Sequence, residues 1–309
     1  MLVSELSPAK LAGCLNGPGL YLSVGPFLYH LKSNLSDVVK GISILYRDFT
    51  CSESAEFADF HVVLQRRQNL FRSFQREVTV LVDGVSPSVP LPVNQAFALL
   101  EGVLNWCVYS FAHQYFIVHA AAIERDGLAA ILPAPPGSGK STLCAALVHR
   151  GWRLLTDELT LIDPTTAKVL PLARPVSLKD ESLEVIRRFA PEVVIGPISP
   201  NTVKGNVAHV RPSTESVRKI NVSSRPAWIV FPKFRSGGKL SATAVSKSHA
   251  LMRVADSAVN YSTLGANGFE ILSQVIDGTD SFDFEYSDLN DAIAWFDSLV
   301  CPPAVAETL

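Results

Sequence analysis

The sequence predicts an α/β fold, and three observations carry that expectation. Segments alternating apolar and polar residues recur along the chain, which is the pattern of half-buried strands. A strand, a glycine-rich loop, a helix and a second strand follow one another between Leu128 and Leu155. Over 309 residues, 48% hydrophobic against 18% charged residues supplies enough apolar surface for a sizeable core.

In chain order, Gly19–His30 and Asp59–Gln65 alternate and read as strands. Arg76–Val82 (REVTVLV) is another, stopped by the turn signal Asp83-Gly84. Ser86–Pro92 (SPSVPLP) is rich in proline and reads as a linker. The chain therefore divides into an N-terminal α/β module, residues 1–92, with no assigned role, and a second domain, residues 93–309. A helix from Asn94 to Ala112 follows, with Asn94 as its N-cap. Its apolar run, Ala96 to Ala112, is the longest in the chain, but it carries Glu101 and Asn105 and is too short to span a bilayer. Phe116–Glu124 and Leu128–Pro133 form a hairpin across Arg125-Asp126-Gly127. Lys140–Arg150 is helical and stops at Gly151; Arg153–Leu155 and Leu159–Ile162 are strands. Further on, Glu181–Phe189 reads as a helix bounded by Pro191, Ala227–Phe231 as a strand, and Ala250–Ser257 and Leu289–Leu299 as helices. There are no repeats and no low-complexity tract.

Bulk properties exclude several classes. The net charge is −2, with no basic excess to mark a nucleic-acid binder. Five scattered cysteines without a C-x-x-C pair argue against a disulfide framework or a structural zinc site and favour a reducing cytoplasm. The N-terminal MLVSELSPAKLAG has no apolar run after a basic start, so it does not read as a secretory signal. Neither a nucleic acid nor a membrane is expected as partner.

The segment Ala134-Pro135-Pro136-Gly137-Ser138-Gly139-Lys140-Ser141-Thr142 carries the chemistry. A phosphate-binding loop reads G-x-x-x-x-G-K-[ST]; here Gly139, Lys140 and Ser141 fit, and Ala134 stands at the first glycine position. Gly137 and Gly139 lack a Cβ where main chain must approach phosphate. The stretch Pro136 to Thr142 can curl around a phosphate with its successive N–H groups from Gly137 on, and the helix beginning near Lys140 adds its positive dipole end. The Lys140 ammonium reaches β and γ oxygens, and the Ser141 hydroxyl suits Mg²⁺, which keeps most of its waters. The apolar strand before the loop and the amphipathic helix after it are the setting the motif needs.

The next strand ends in Asp157-Glu158. One carboxylate there can hold Mg²⁺ and the other can take a proton from an attacking hydroxyl. An exposed acidic turn is the plain alternative. His119, in the apolar run IVHAAAI, reads from the sequence alone as a core histidine. Arg174 and Lys179 could clamp phosphate or an acidic substrate, since guanidinium groups suit oxygen pairs, or could be surface charge. Lys204 follows GPISPNT, which reads as a flexible loop able to close over substrate. Arg218, Lys219, Arg225, Lys233 and Arg235 give the third quarter a basic cast, either a draw for an acidic peptide or a solvated face.

The run VHAAAIERDGLAAILPAPPGSGKSTLCAALVHRGWRLLTDELTLID resembles the C-terminal catalytic domain of the HPr kinase/phosphorylase family. PLARPVSLKDESLEVIR, VKGNVAHVRP, RPAWIVFPKF and NYSTLGANGFE look like the HPr-kinase-related kinase A group, which is associated with peptide-modification gene clusters. The resemblance covers about residues 95–300 and implies a P-loop kinase core. It implies that His119 lies near the transferred phosphate, that Asp157 is the base, and that Glu158, where HPr kinases usually have Asp, is a metal ligand. The family's loop reads G-x-x-G-x-G-K-S, matched here except at Ala134. The signature segment of true HPr kinases downstream of the acidic pair has no good copy here, which sets HPr and the reverse phosphorolysis apart from what the resemblance carries. Self-association is also implied, since HPr kinases are hexameric.

The expected activity is transfer of the ATP γ-phosphoryl group, with Mg²⁺, to a Ser or Thr hydroxyl of a protein or peptide. A kinase of a small metabolite and a nucleotide-binding regulator without transferase activity are the alternatives.

Overall fold

The structure is a computed structural model that describes residues 1–67 and 77–300. The chain opens with α1 (Pro8–Asn16), β1 (Leu20–Val24), β2 (Phe27–Ser33), α2 (Ser36–Leu45), β3 (Cys51–Ser52), β4 (Phe60–Arg66), β5 (Glu77–Val82), β6 (Leu91–Pro92) and α3 (Ala96–Phe111). It continues with β7 (Phe116–Arg125), β8 (Leu128–Pro133), α4 (Lys140–His149), β9 (Arg153–Thr156), β10 (Leu159–Ile162) and β11 (Val169–Leu170). Then come β12 (Val176–Lys179), α5 (Glu181–Phe189), β13 (Ser199–Thr202), β14 (Gly205–Val210) and α6 (Thr214–Arg218). The last stretch holds β15 (Arg225–Phe234), β16 (Ser241–Ala244), α7 (Lys247–Ser257), α8 (Tyr261–Leu264), α9 (Ala266–Asp277), β17 (Asp280–Tyr286) and α10 (Leu289–Asp297).

The fold is mixed α/β, and the chain packs into two compact units. One comprises Met1–Phe111 with Arg174–Arg218, the other Ala112–Ala173 with Lys219–Leu309. This division differs from the expected cut at 92/93 in two places. Helix α3 belongs with the N-terminal residues, because its apolar face is buried in their core. The segment 174–218 also returns to that unit.

The first unit is built on a six-stranded sheet, β3-β1-β2-β4-β5-β6, together with the three-stranded sheet β12-β14-β13. The expected single strand Gly19–His30 is two antiparallel strands that turn at Gly25-Pro26, with Val24 opposite Phe27. Both alternate buried and half-buried residues, so the apolar period was right and the turn inside it was missed. Arg76 lies outside the described residues, and the strand expected from it is described from Glu77. Asn94 does not cap α3; it sits in a short 3₁₀ turn, Val93–Gln95, that leads into the helix.

Arg174 anchors this unit. It is 6% exposed and pairs with Glu101, itself 3% exposed, at 2.5 Å. It also donates to the Glu101 carbonyl at 2.7 Å and to Asn105 Oδ1 at 2.5 Å. The second Glu101 oxygen accepts from Tyr46 at 2.7 Å. Burial first, then the Glu101 charge, push the Tyr46 hydroxyl well up, which keeps it a donor. Arg174 is thus no phosphate clamp: its guanidinium is spent on a buried carboxylate. The segment GPISPNT is likewise no lid. Ser199–Thr202 is a strand paired with β14, and Gln95 Nε2 donates to the Pro200 and Asn201 carbonyls at 3.1 and 2.9 Å. Lys204 is exposed in the tight turn between β13 and β14, and Lys179 is half-buried at the end of β12.

A histidine pair joins β2 to β4. His30 and His61 are opposite in the parallel register, with their Nδ1 atoms 3.0 Å apart. The Nε2 of His30 faces the Pro18 carbonyl at 2.9 Å, which can only accept, so that nitrogen carries the proton. Burial, then the charges of His61 and Lys32, hold His30 below its usual pKa against the pull of Pro18.

The second unit is built on an eight-stranded mixed sheet, β11-β10-β7-β8-β15-β17-β16, with β9 also paired to β7. The hairpin β7–β8 forms as expected, and β8, β15 and β17 run parallel. On one face Val118, Ala120 and Ala122 of β7, Ile131 of β8, and Ile229 and Phe231 of β15 pack with Ala250 and Val254 of α7 and Leu272 and Val275 of α9. Arg153 braces this unit from inside. It pairs with buried Glu124, donates to Ser224 Oγ at 2.6 Å, and donates to the carbonyls of Lys219 at 2.9 Å and Val222 at 3.0 Å.

Two outcomes are expected. Removing one partner of a buried ion pair costs roughly 3–5 kcal/mol. Arg174→Met should therefore lower the unfolding free energy by about that much in urea titrations, while the double change Glu101→Leu with Arg174→Met should recover a large part. For His30, the folded-state pKa is depressed, so the unfolded chain takes the proton first as pH falls below about 6.5. The stability it contributes is present above that pH and is lost below it. The melting temperature should fall between pH 7 and pH 5, and less steeply in His30→Gln.

Candidate active site

The glycine loop leaves the sheet at the end of β8 and turns back into α4. Its first residue, Ala134, is not among the residues with positive φ, so a side chain there brings no backbone strain. Pro135, Pro136 and Gly137 are exposed, and Ser138 N donates to the Pro135 carbonyl at 3.3 Å. Gly137 and Gly139 have φ of 83° and 87°, a region where residues with a Cβ are strained. Their reasons differ beyond that. A Cβ on Gly137 would meet nothing within 4 Å, so that side of the loop is open. A Cβ on Gly139 would lie 2.5 Å from the Tyr286 hydroxyl and 2.9 Å from Phe234 Cβ. At Gly139 the missing side chain makes room for the protein itself, not for an anion.

Two hydrogen bonds fix the loop from the β15–β17 side. Phe234 N donates to the Ser138 carbonyl at 2.8 Å, and the Tyr286 hydroxyl donates to the Gly139 carbonyl at 3.0 Å. Burial raises the Tyr286 pKa, which keeps that donor protonated. Gly139 is the N-cap of α4 and offers no side chain to its first amides, so the N-terminal donors of Lys140, Ser141 and Thr142 have no side-chain cap. Ser138 Oγ is buried and has no hydrogen-bond partner among the described residues. Ser141 and Thr142 are half-buried in the first turn.

The acidic pair occupies a two-residue bend between β9 and β10, which run in the same direction along one edge of β7. Strand β7 lies between it and the glycine loop. Ala120 of β7 is opposite Pro133, the last residue of β8, while Ala122 is opposite Thr156 and His119 is opposite Leu159. The loop therefore leaves β8 at the level of the acidic bend, with β7 between them, about 10 Å at the usual strand spacing. Asp157 is 5% exposed and Lys140 is 8% exposed; Glu158 is half-buried. Cys144, one turn into α4, registers both charges. Its thiol is pushed well up by burial first and then by the Asp157 carboxylate, while the Lys140 ammonium pulls it down. The same sulfur lies 4.0 Å from the Thr156 carbonyl.

His119 departs from the core histidine expected of its apolar surroundings: it is exposed. Its neighbours Val118 and Ala120 point into the core against α7 and α9, so His119 points to the other face. No residue of α4 belongs to that core; α4 packs against β7 from the side to which His119 points. Thr160 Oγ1 donates to the Ala120 carbonyl at 2.9 Å and locks the strands at this level.

The structure thus brings together Pro136–Thr142, Asp157, Glu158 and His119 in the second unit. Arg174, Lys179 and Lys204 belong to the first unit. Among the described residues no group of three or more His, Cys, Asp and Glu gathers as a metal cage. The donor set beside the loop, one hydroxyl and two carboxylates, fits a hard cation that keeps most of its waters. Sequence reading missed Phe234 and Tyr286. The segment DSFDFEY carries a period-two signal that could have marked β17, but nothing in it shows that its last residue reaches the loop.

No protein-family profile matches the chain, and no curated protein matches it.

The two glycines should respond differently to alanine. Gly137→Ala should cost about 1 kcal/mol from its left-handed backbone alone. Gly139→Ala should cost more, because Tyr286 and Phe234 must also move. Thermal unfolding of the two variants reads the difference, and equal costs would contradict the packing described here.

Proposed function

We propose that the protein is an ATP-dependent phosphotransferase that passes the γ-phosphoryl group to a Ser or Thr hydroxyl of a peptide or protein. One observation carries the reading: an open, left-handed glycine loop with Lys140 behind it leaves β8 at the level of a buried aspartate one strand away in the same sheet. The resemblance of this stretch to the HPr kinase/phosphorylase C-terminal domain points the same way.

In this reading the amides from Gly137 to Thr142 and the Lys140 ammonium hold the β- and γ-phosphates. Asp157 accepts the proton of the acceptor hydroxyl as its oxygen bonds to the γ-phosphorus and the bridging β–γ bond breaks, releasing ADP. His119 stands at the acceptor side of the loop, on the face shared with α4, where it can hydrogen-bond the transferred group. Ser141, with Glu158 or Asp157, would hold Mg²⁺, whose contribution is to neutralise charge on the phosphate oxygens. The rest is alignment, because phosphoryl transfer asks little covalent chemistry of a protein. Burial of Asp157 suits a base that must work away from bulk water.

No helix among the described residues is long and apolar enough to cross a membrane. Cys14, Cys51, Cys107 and Cys144 are all buried free thiols. The free thiols accord with a reducing compartment.

The test separates grip from chemistry. Lys140→Ala should weaken Mg·ATP binding at least about tenfold and abolish turnover. Asp157→Asn should bind Mg·ATP within a few-fold of wild type yet lose roughly 10²–10⁴ in rate. Calorimetry reads the first, and mass spectrometry of Ser/Thr peptides incubated with ATP reads the second. Unchanged affinity and turnover in Lys140→Ala would remove the proposal.

A further inference from the structure

The two flanks of the glycine loop differ in chemistry. On the β7 side lie Asp157, Glu158 and His119. On the β15 side lies Phe234, an aromatic residue 49% exposed at the end of a strand whose preceding apolar residues, Ala227 to Phe231, are all buried. The Phe234 backbone is pinned by its bond to Ser138. Its ring packs against Tyr286, centroids 5.6 Å apart at 67°, and Tyr286 is in turn tied to Gly139. The exposed ring is therefore held firmly at the rim of the loop. Lys233 and Arg235, on the opposite face of the strand, pair with Glu285 at 3.5 and 3.2 Å, which leaves the ring's own face free of charge. Ser138, whose buried hydroxyl has no hydrogen-bond partner among the described residues, sits between Phe234 and the open loop.

A triphosphate laid across the end of β8 with its γ end toward Asp157 has its α end on the opposite flank. We propose that the nucleoside leaves the loop on the β15–β17 side and that its base stacks on the Phe234 ring. This inference rests on the phosphotransferase reading and adds what that reading lacks, a site for the nucleoside. An aromatic face suits any purine base, since stacking needs no edge contacts. The fixed backbone and the Tyr286 contact make the platform pre-organised, so little side-chain freedom is lost when a base covers it.

The experiment compares Mg·ATP with Mg-tripolyphosphate, which has the phosphates and no nucleoside, by calorimetry on the full chain. Phe234→Leu keeps an apolar side chain against Tyr286 and removes the aromatic face; Phe234→Trp keeps the face. Phe234→Leu should weaken ATP about five- to a hundredfold, the range of a lost base stack, and leave tripolyphosphate within about twofold. Phe234→Trp should hold ATP near the wild-type affinity. Equal weakening of both ligands in Phe234→Leu would mean that Phe234 only supports the loop, and would overturn the inference, as would no effect on either ligand. Wild-type protein that binds tripolyphosphate as tightly as ATP would overturn the stack while leaving the phosphate reading intact. Wild-type protein that binds neither would overturn both.

Discussion

The site depends on one constraint, the left-handed backbone at Gly139 held down by the Tyr286 hydroxyl and by the Phe234 amide. That conformation lets the chain reverse from β8 into α4 without a side chain between them. It leaves the first turn of α4 without a side-chain cap and keeps Gly137 open above it. Everything proposed for the loop follows from this posture. An anion is drawn by uncapped amides and a helix dipole only when the turn presents them outward. The two tethers come from the ends of β15 and β17, strands far along the chain, so the loop's shape belongs to the sheet and not to its own sequence.

The second determinant is β7. Its run Ala120-Ala121-Ala122 is wholly buried. Small side chains on both faces let α4 lie close on one side while α7 and α9 close the other. Lying between them, β7 also sets the spacing between the strand that feeds the loop and the β9–β10 edge that carries Asp157. Asp157 and the glycine loop, one strand apart, are placed by the hydrogen-bond ladder itself, which is stiffer than any pair of surface loops. The buried Arg153, bonded to Glu124, Ser224 and two carbonyls, closes the same unit at its far side.

What could be read from the sequence was what is local. The loop motif is contiguous, and the hairpin β7–β8 is announced by Asp126-Gly127 between two apolar runs. The helix α1 was also announced, by Ser7 before Pro8, and Ser7 does accept from Lys10 N; the signal was present and went unread. Arg174 was out of reach. A lone arginine after a short strand reads as surface, and only the fold reveals Glu101 waiting in α3. His119 failed for a different reason. Both faces of β7 are apolar, so parity along IVHAAAI could not say which face opens at that position. Phe234 and Tyr286 matter through backbone contacts that leave no mark on residue type.

The chain passes from one compact unit to the other at 111/112, again at 173/174, and back at 218/219. Neither unit is a continuous stretch of gene. During synthesis the unit begun first cannot be finished until residues 174–218 leave the ribosome, and the loop-bearing sheet waits longer still for β15 and β17. Assembly is thus interleaved, with Arg174 arriving to find its carboxylate already made. Swapping or excising either unit at a single junction would tear both, so any recombination that spares the protein must exchange the pair together.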